Sequence, residues 1–346
     1  MTSDIETAGM SLFEPVPRYL NTAAVGLPTR AALAELDRRI DEWRTGRCDP
    51  PSFDADVAGA RSAYADIVGT DPSSVAMVGA VSTAAGLVAA SLPEGSVVLA
   101  AQEDFTSVLF PFLADDRLET RLAPLDVLLD RVDDDVSLIA VSAAQSADGR
   151  VIDLDSLAEI GAQGVRTYVD TTQAAGWMPI HASRFDVTAC HSYKWLCAPR
   201  GVGFVTIGKG VAGWLRPINA GWYAGDDPWQ SIYGPPVRLA GDARRYDLSP
   251  DWFSVAGAAR SLEALARLGT SAIGEVSVGL ANRFRAHLDI EPSPSAIVSV
   301  GSTAGERLAA EGFVTSSRAG RIRLSFYIYN TVDDVDRAAE IIAGSP

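Results

Sequence analysis

Short apolar runs alternate with stretches of helical periodicity along most of this chain, and that alternation limits the fold more than any other feature. SVAMVG (74–79), SVVLAA (96–101), VSLIAVS (136–142), VRTYVD (165–170) and GVGFVTI (201–207) read as strands, and FDVTACHS (185–192) is strand-like. Before and between them, PTRAALAELDRRIDEWRTG (28–46), DVAGARSAYADIVG (56–69), TAAGLVAASL (83–92) and DLDSLAEIGAQG (153–164) carry apolar residues at helical spacing. Pro28 near the start and Gly46 past the end punctuate the first of these. Strands that are apolar on both faces and separated by helices predict a largely parallel α/β sheet covered on both sides.

From about Tyr246 the pattern changes. WFSVAGAARSLEALARLG (252–269) is a long helix with a glycine cap, and helical spacing continues through 276–288. SAIVSVG, GRIRLSFYIY and VDDVDRAAEIIAG then give strand, strand and helix. The expected organisation is a loose N-terminal tail over 1–15, a large domain over 16–245 and a small α+β domain over 246–346, with segment 16–50 partly joining the small one. No repeat or low-complexity linker intervenes, so the two lobes are expected to pack closely. A chain of 346 residues, 47% of them apolar, can build a large core and a second lobe.

The formal charge of −15 disfavours nucleic acid and anionic membrane surfaces as partners. Cys48, Cys190 and Cys197 form no CxxC pair and no metal-ligand spacing, as expected of a chain in a reducing compartment. The N-terminus is acidic without an apolar core, and the longest apolar runs are too short to span a bilayer. The expectation is a cytoplasmic protein without a metal.

A sheet of this kind binds ligands at the carboxyl ends of its strands. No GxGxxG leads from a strand into a helix and no GxxxxGK[ST] is present, which disfavours a nicotinamide enzyme and a P-loop. Three other features do sit at strand ends. In VGAVSTAAGLVAA (78–90), Ser82 and Thr83 lie at a strand-to-helix junction, where a hydroxyl N-cap and free backbone N–H groups cradle phosphate. Alone, Ser82 reads better as an ordinary helix cap. In VRTYVDTTQAAGW (165–177), Asp170 ends a buried strand with Gln173 three residues on; it needs a partner if buried, and capping the next turn is an equal alternative. Lys194 follows 24 residues after Asp170, between Tyr193 and Trp195. Of the 29 Lys and Arg residues 27 are arginine and only Lys209 is a second lysine, which weakens the reading of Lys194 as a surface cation. An amine desolvated by aromatic neighbours moves toward its neutral, nucleophilic form, and imine formation is open to lysine and closed to arginine. A phosphate, a protonated ring nitrogen and an aldehyde together describe one ligand, pyridoxal 5′-phosphate (PLP).

From RYLNTAAVGLP (18–28) to IRLSFYIYNTVDDVDRA (322–338), and most strongly in VDTTQAAG, SYKWLCAPRGVGF and RLSFYIYNT, the chain resembles the class V aminotransferase family of fold-type I PLP enzymes. That group includes cysteine desulfurases, kynureninases and isopenicillin N epimerases. The resemblance implies a fold-type I architecture, an amino-acid substrate and a homodimer with its site at the interface. It implies that Lys194 forms the internal aldimine and carries the substrate proton, that Asp170 pairs with the ring nitrogen, and that Gln173 bonds the ring hydroxyl. Ser82, Thr83 and the backbone after Val81 would hold phosphate, joined by Tyr193, as in kynureninases, and by His191, for which a helix-end or core role is an equal alternative. Phe105 in QEDFTSVLFPF would stack on the cofactor, with a core role as the alternative, and Gln145 would contact a substrate or cofactor oxygen. Arg323 would grip the substrate α-carboxylate, with Arg321 two residues earlier as its competitor. Trp222 and Tyr223 would line the substrate side or simply pack.

Three departures stand out. No cysteine follows Cys197, which argues against a desulfurase. RRYDLSPDWFS (244–254) lacks the Gly-Thr pair with which the dimer partner reaches phosphate in the family; Ser249 is its nearest substitute. The segment around 291–301 is also trimmed. Transamination is the expected reaction. A C–S or C–C β-lyase follows, then an epimerase, then a PLP-fold protein without catalysis.

Overall fold

The computed structural model describes residues 2–344. Its helices are α1 (Thr2–Ser11), α2 (Arg30–Arg44), α3 (Asp54–Val68), α4 (Val81–Ser91), α5 (Thr106–Leu113), α6 (Leu154–Ala162), α7 (Trp252–Leu268), α8 (Thr270–His287), α9 (Gly305–Ala310) and α10 (Val332–Ala343). Its strands are β1 (Val75–Val78), β2 (Val97–Ala101), β3 (Glu119–Ala123), β4 (Val136–Ser142), β5 (Arg166–Asp170), β6 (Val187–His191), β7 (Gly203–Ile207), β8 (Ile297–Val300), β9 (Ser316–Arg318) and β10 (Arg321–Ser325). The predicted strands and helices are present, with ends shifted by a few residues.

Seven strands form the large sheet in the order β1-β7-β6-β5-β4-β2-β3. β7 runs antiparallel to both β1 and β6, while the remaining pairs are parallel. Each central strand is buried along its length, so alternate side chains feed two separate cores. Ala76, Val98, Leu138, Tyr168 and Val205 meet α4 and α5 on one face; Met77, Leu99, Ile139, Val169 and Phe204 meet α3, α6 and α7 on the other. This is the fold-type I arrangement that the sequence predicts.

The second sheet has the order β8-β10-β9, all antiparallel, and packs with α8 and α10. The N-terminal segment joins it: Tyr19 and Asn21 bridge to Val314 and Ser325, and Ser325 N–H donates to Leu20 O at 2.9 Å. α7 packs along α2 and α3, so the change of sequence character near Tyr246 falls inside a packed layer.

The expected loose tail over 1–15 is instead helical over Thr2–Ser11. Ile5 packs against the core and Phe13 is buried. A Cβ at Gly9 would lie 3.2 Å from that of Ile328, so this face rests directly on the chain just beyond β10. Among the described residues no helix is long and apolar enough to cross a membrane.

Candidate active site

Because β7 alone runs against the rest of the large sheet, the carboxyl ends of β1, β2, β4, β5 and β6 share one edge. That edge gathers the start of α4 after β1, Asp104 and Phe105 after β2, and Gln145 and Ser146 after β4. Asp170 and Gln173 at the end of β5 and His191 at the end of β6 complete it, with Lys194 in the turn that follows. Chemistry-bearing residues that are distant in sequence meet there because the strand register aligns them; Ser142 pairs with Asp170, and Asp170 with Ala189.

The turn that carries Lys194 is held from several sides. Cys197 N–H donates to Lys194 O at 3.0 Å, and Gly26 N–H donates to Tyr193 O at 2.9 Å. Gly26 is required here, since a Cβ on it would lie 1.9 Å from Lys194 O. Tyr327 Oη donates to Trp195 O at 2.7 Å, and Trp195 Nε1 donates to Gln173 Oε1 at 2.8 Å. The lysine side chain is buried, and its Nζ lies 5.6 Å from the Phe105 ring centroid and 5.8 Å from that of Tyr193. Burial pushes the amine down to about 8; Asp170 pulls the other way and Arg323 adds to the fall.

Asp170 is buried and accepts from Thr172 N–H at 2.8 Å. Burial pushes its carboxyl up to about 6, opposed by Thr172 and Lys194. His191 Nε2 accepts from Val81 N–H at 3.4 Å, so the imidazole takes up one of the free N–H groups of α4. Burial, with Lys194 and Arg200 nearby, pushes His191 down to about 4, which makes it neutral.

Ser82 is not the cap expected of it. Ala80 occupies the N-cap position without a side-chain hydrogen bond, and Ser82 stands exposed in the first turn beside half-buried Thr83. Buried Val81 seats the first turn on the sheet, and Tyr168 Oη donates to its carbonyl at 3.2 Å, so the helix starts before the hydroxyls.

The two candidate arginines separate. Arg321 is exposed and donates from Nε and Nη2 to Oγ and O of Ser299 at 3.1 and 3.0 Å. Arg323 is 1% exposed and donates from Nε to Ser316 Oγ at 3.1 Å and from Nη1 to Ser146 O at 2.5 Å. Among the described residues no carboxylate pairs with it and its Nη2 is buried without a partner, and burial pushes it down to about 10. Gln173, expected at the ring hydroxyl, donates from Nε2 to Ala23 O at 3.0 Å and to Ser146 Oγ at 3.1 Å. With Trp195 on its oxygen, its amide is occupied by protein. Trp222 and Tyr223 pack with Trp229 around Asp54, which accepts from Tyr223 Oη at 2.8 Å and Trp229 Nε1 at 2.6 Å. Tyr193 lies under the Arg200 guanidinium, 5.2 Å from its ring centroid.

The segment 244–254 is fastened to its own chain. Asp247 accepts from Arg61 and Met77 N–H at 2.7 Å each, and Leu248 N–H donates to Met77 O at 3.0 Å. Ser249 therefore lines a cleft of about 120 Å³ with Gly79 and Gly201, beside the start of α4.

Two site residues escape the sequence reading. Asp104 is buried and accepts from Ser142 N–H at 2.6 Å and Phe105 N–H at 2.7 Å; the signal was a carboxylate just past a buried strand, as at Asp170. Ser146 joins Gln173 to Arg323, a link no local pattern announces. Around Lys194, three buried polar atoms have no partner: Gln145 Oε1, His191 Nδ1 and Arg323 Nη2. Buried polar groups are ordinarily satisfied, so an acceptor and two donors left open at one edge fit a polar ligand.

The model of the family described as Aminotransferase class-V matches residues 98–300. The chain is 28% identical to an uncharacterized aminotransferase, YcbU, of Bacillus subtilis (strain 168), over 82% of each chain. It is 26% identical to the isopenicillin N epimerase of Streptomyces clavuligerus over 97% of each. Among solved structures, a complex of the cystine C–S lyase C-DES with its product cysteine persulfide superposes with a TM-score of 0.84 at 19% identity, covering 95% of this chain and 98% of that one. The apo cysteine desulfurase from Thermococcus onnurineus NA1 gives 0.79 at 18% identity, covering 94% of each. At those identities the structural likeness speaks for the fold alone.

Proposed function

The chain belongs to the class V aminotransferase family, and from that premise we propose that it is an aminotransferase acting on an amino acid through Lys194. Class V aminotransferases use PLP, and the open polar atoms around Lys194 fit it. When bound, PLP supplies an aldehyde for an amine and a protonated ring that draws electrons from the substrate α-carbon.

The observation that carries the reading is a buried amine and a buried guanidinium facing one site. Near neutral pH an amine with a pKa of about 8 is partly unprotonated, so Lys194 can take a proton from the α-carbon and return it elsewhere. In this reading the uncommitted Nη2 of Arg323 binds the α-carboxylate, and among the described residues no carboxylate pairs with it. Asp170, ionised above a pKa of about 6, is placed to hold the proton on the ring nitrogen. Phe105 offers a flat face beside Lys194, and the first turn of α4 with Ser82, Thr83 and Tyr193 receives the phosphate, with His191 tethered to Val81. Gln173 acts on the cofactor pocket indirectly, by fixing Trp195 and with it the lysine turn.

Cys190 and Cys197 are buried and pushed up, Cys190 to about 12, so neither supplies a thiolate near neutral pH. This disfavours sulfur transfer to either of these two cysteines. The isopenicillin N epimerase relatives keep epimerisation as a second reading. We also propose a homodimer, for which the exposed apolar residues Trp43, Phe110, Tyr233 and Val237 offer surface.

A panel of L-amino acids tests the reaction. Transamination releases a 2-oxo acid once per site and turns over only with a second 2-oxo acid as acceptor. Continuous ammonia release without an acceptor means β-elimination, and appearance of the D-enantiomer alone means epimerisation; either result overturns the proposal. A visible cofactor band unchanged in Lys194→Ala overturns the role of the lysine.

A further inference from the structure

Asp104 meets no cation among the described residues. Its Oδ1 accepts from Phe105 N–H at 2.7 Å and from the Ser142 hydroxyl at 2.5 Å. Its Oδ2 accepts from Ser142 N–H at 2.6 Å and from Gln145 Nε2 at 3.2 Å. Burial pushes the carboxyl up and all four of these hydrogen bonds oppose that shift. Leaving Gln145 aside, two backbone N–H groups and the Ser142 hydroxyl already donate to its two oxygens, so Asp104 stands as a carboxylate, which can only accept.

That settles the orientation of the Gln145 amide. Turned over, it would set its carbonyl oxygen against a carboxylate oxygen, so Nε2 must face Asp104. Oε1 is then left buried with no partner. Site residues flank it on both sides: Asp104 adjoins Phe105, whose ring centroid lies 5.6 Å from Lys194 Nζ, and Ser146 holds both Arg323 and Gln173. A buried acceptor without a partner is an opening for one kind of group only, a hydrogen-bond donor.

We infer that Asp104 is a positioning residue: it locks Gln145 so that a carbonyl oxygen, and not an amide N–H, meets the bound ligand, whose facing group is a protonated hydroxyl or an ammonium. An ionised oxygen at that point is repelled. The hydroxyl would come from the cofactor and the ammonium from the amino acid. The inference rests on the reading of the site as a PLP pocket.

The test is a double-mutant cycle on the holoenzyme with Asp104→Ala, Gln145→Leu and the pair. Two dissociation constants are read, for PLP added to the apoprotein and for an amino acid titrated against the visible band. Each single substitution is expected to weaken the same constant by roughly tenfold, and the pair by no more than the larger single effect, since both remove one oriented oxygen. A loss confined to the amino-acid constant identifies the ammonium; a loss in the PLP constant identifies the hydroxyl. Effects that multiply in the pair, or singles that leave both constants within about twofold, overturn the inference.

A measurement on the apoprotein stands apart from cofactor binding and from the folding of Asp104→Ala. Gln145→Glu sets a second carboxylate against Asp104. Its thermal midpoint should fall below that of the wild type at pH 8 and recover toward it at pH 5, as one carboxyl takes up a proton. Asp170, whose charge is coupled to that of Asp104, and Lys194 are present in both proteins and cancel. A difference independent of pH removes the contact on which the inference stands. Absence of any cofactor band in the wild type would overturn the PLP reading while leaving this result to be judged by itself.

Discussion

Burying Lys194 has a cost that pH can remove, and its size follows from the displaced pKa. The amine falls from 10.5 to about 8 in the folded chain. Between those values the unfolded chain binds the proton and the folded chain does not, so stability rises with pH across that window. Below pH 8 the penalty is fully present and amounts to about 3 kcal/mol; about 2 kcal/mol of it is recovered by pH 9.5. Cys190 and Cys197 act in the opposite sense, because the unfolded thiols ionise near 9 while the folded ones do not. The informative quantity is therefore the difference between the wild-type apoprotein and Lys194→Met, in which the cysteine contribution cancels apart from the smaller part of the Cys190 shift that comes from Lys194. Urea unfolding at pH 7 and pH 9.5 measures it. The variant should be the more stable at pH 7, by a margin that shrinks by about 2 kcal/mol at pH 9.5. A margin that does not change with pH would refute the claim that the amine is desolvated, and with it the basis for its reactivity.

Two further expectations follow from the same geometry. Arg323→Ala should lower kcat/KM by roughly 10²-fold or more, the loss of one or two charge-assisted hydrogen bonds to the substrate, while Arg321→Ala changes it by less than about threefold; the reverse pattern would move the carboxylate site to Arg321. Gly26→Ala forces a Cβ onto the Lys194 carbonyl and should lower stability by at least about 1–3 kcal/mol and weaken PLP binding, checked by thermal unfolding and cofactor titration.

Where a residue is scarce or sits at the end of a buried strand, the primary structure speaks clearly. Lys194 stood out because arginine fills nearly every other cationic position, and Asp170 because a carboxylate ends an apolar run. The large sheet was legible for the same reason, since its central strands are apolar on both faces. β3 was not, because ETRLA is an edge strand with mostly polar, accessible side chains. α5 is apolar almost throughout and holds Pro111, which hides its helical period. Ser82 carries a capping hydroxyl at the strand-to-helix junction, but burial of Val81 sets the start of α4 one residue before it. The partners of Gln173, which are Ala23, Ser146 and Trp195, are not legible locally, because they come from three separate stretches of chain that only the fold assembles.

The segment that floors the lysine turn enters at Gly26, while the guanidinium opposite stands on β10 at Arg323 and is tied to that same segment through the bridge of Asn21 to Ser325. During synthesis the first of these emerges from the ribosome well before the second. A nascent chain halted after β7 has Lys194, Asp170 and Phe105 but lacks the strand that holds the N-terminal segment beneath them. The pocket is thereby closed by contacts between stretches far apart in the chain, so it forms only after long-range pairing of the N-terminal segment with β10.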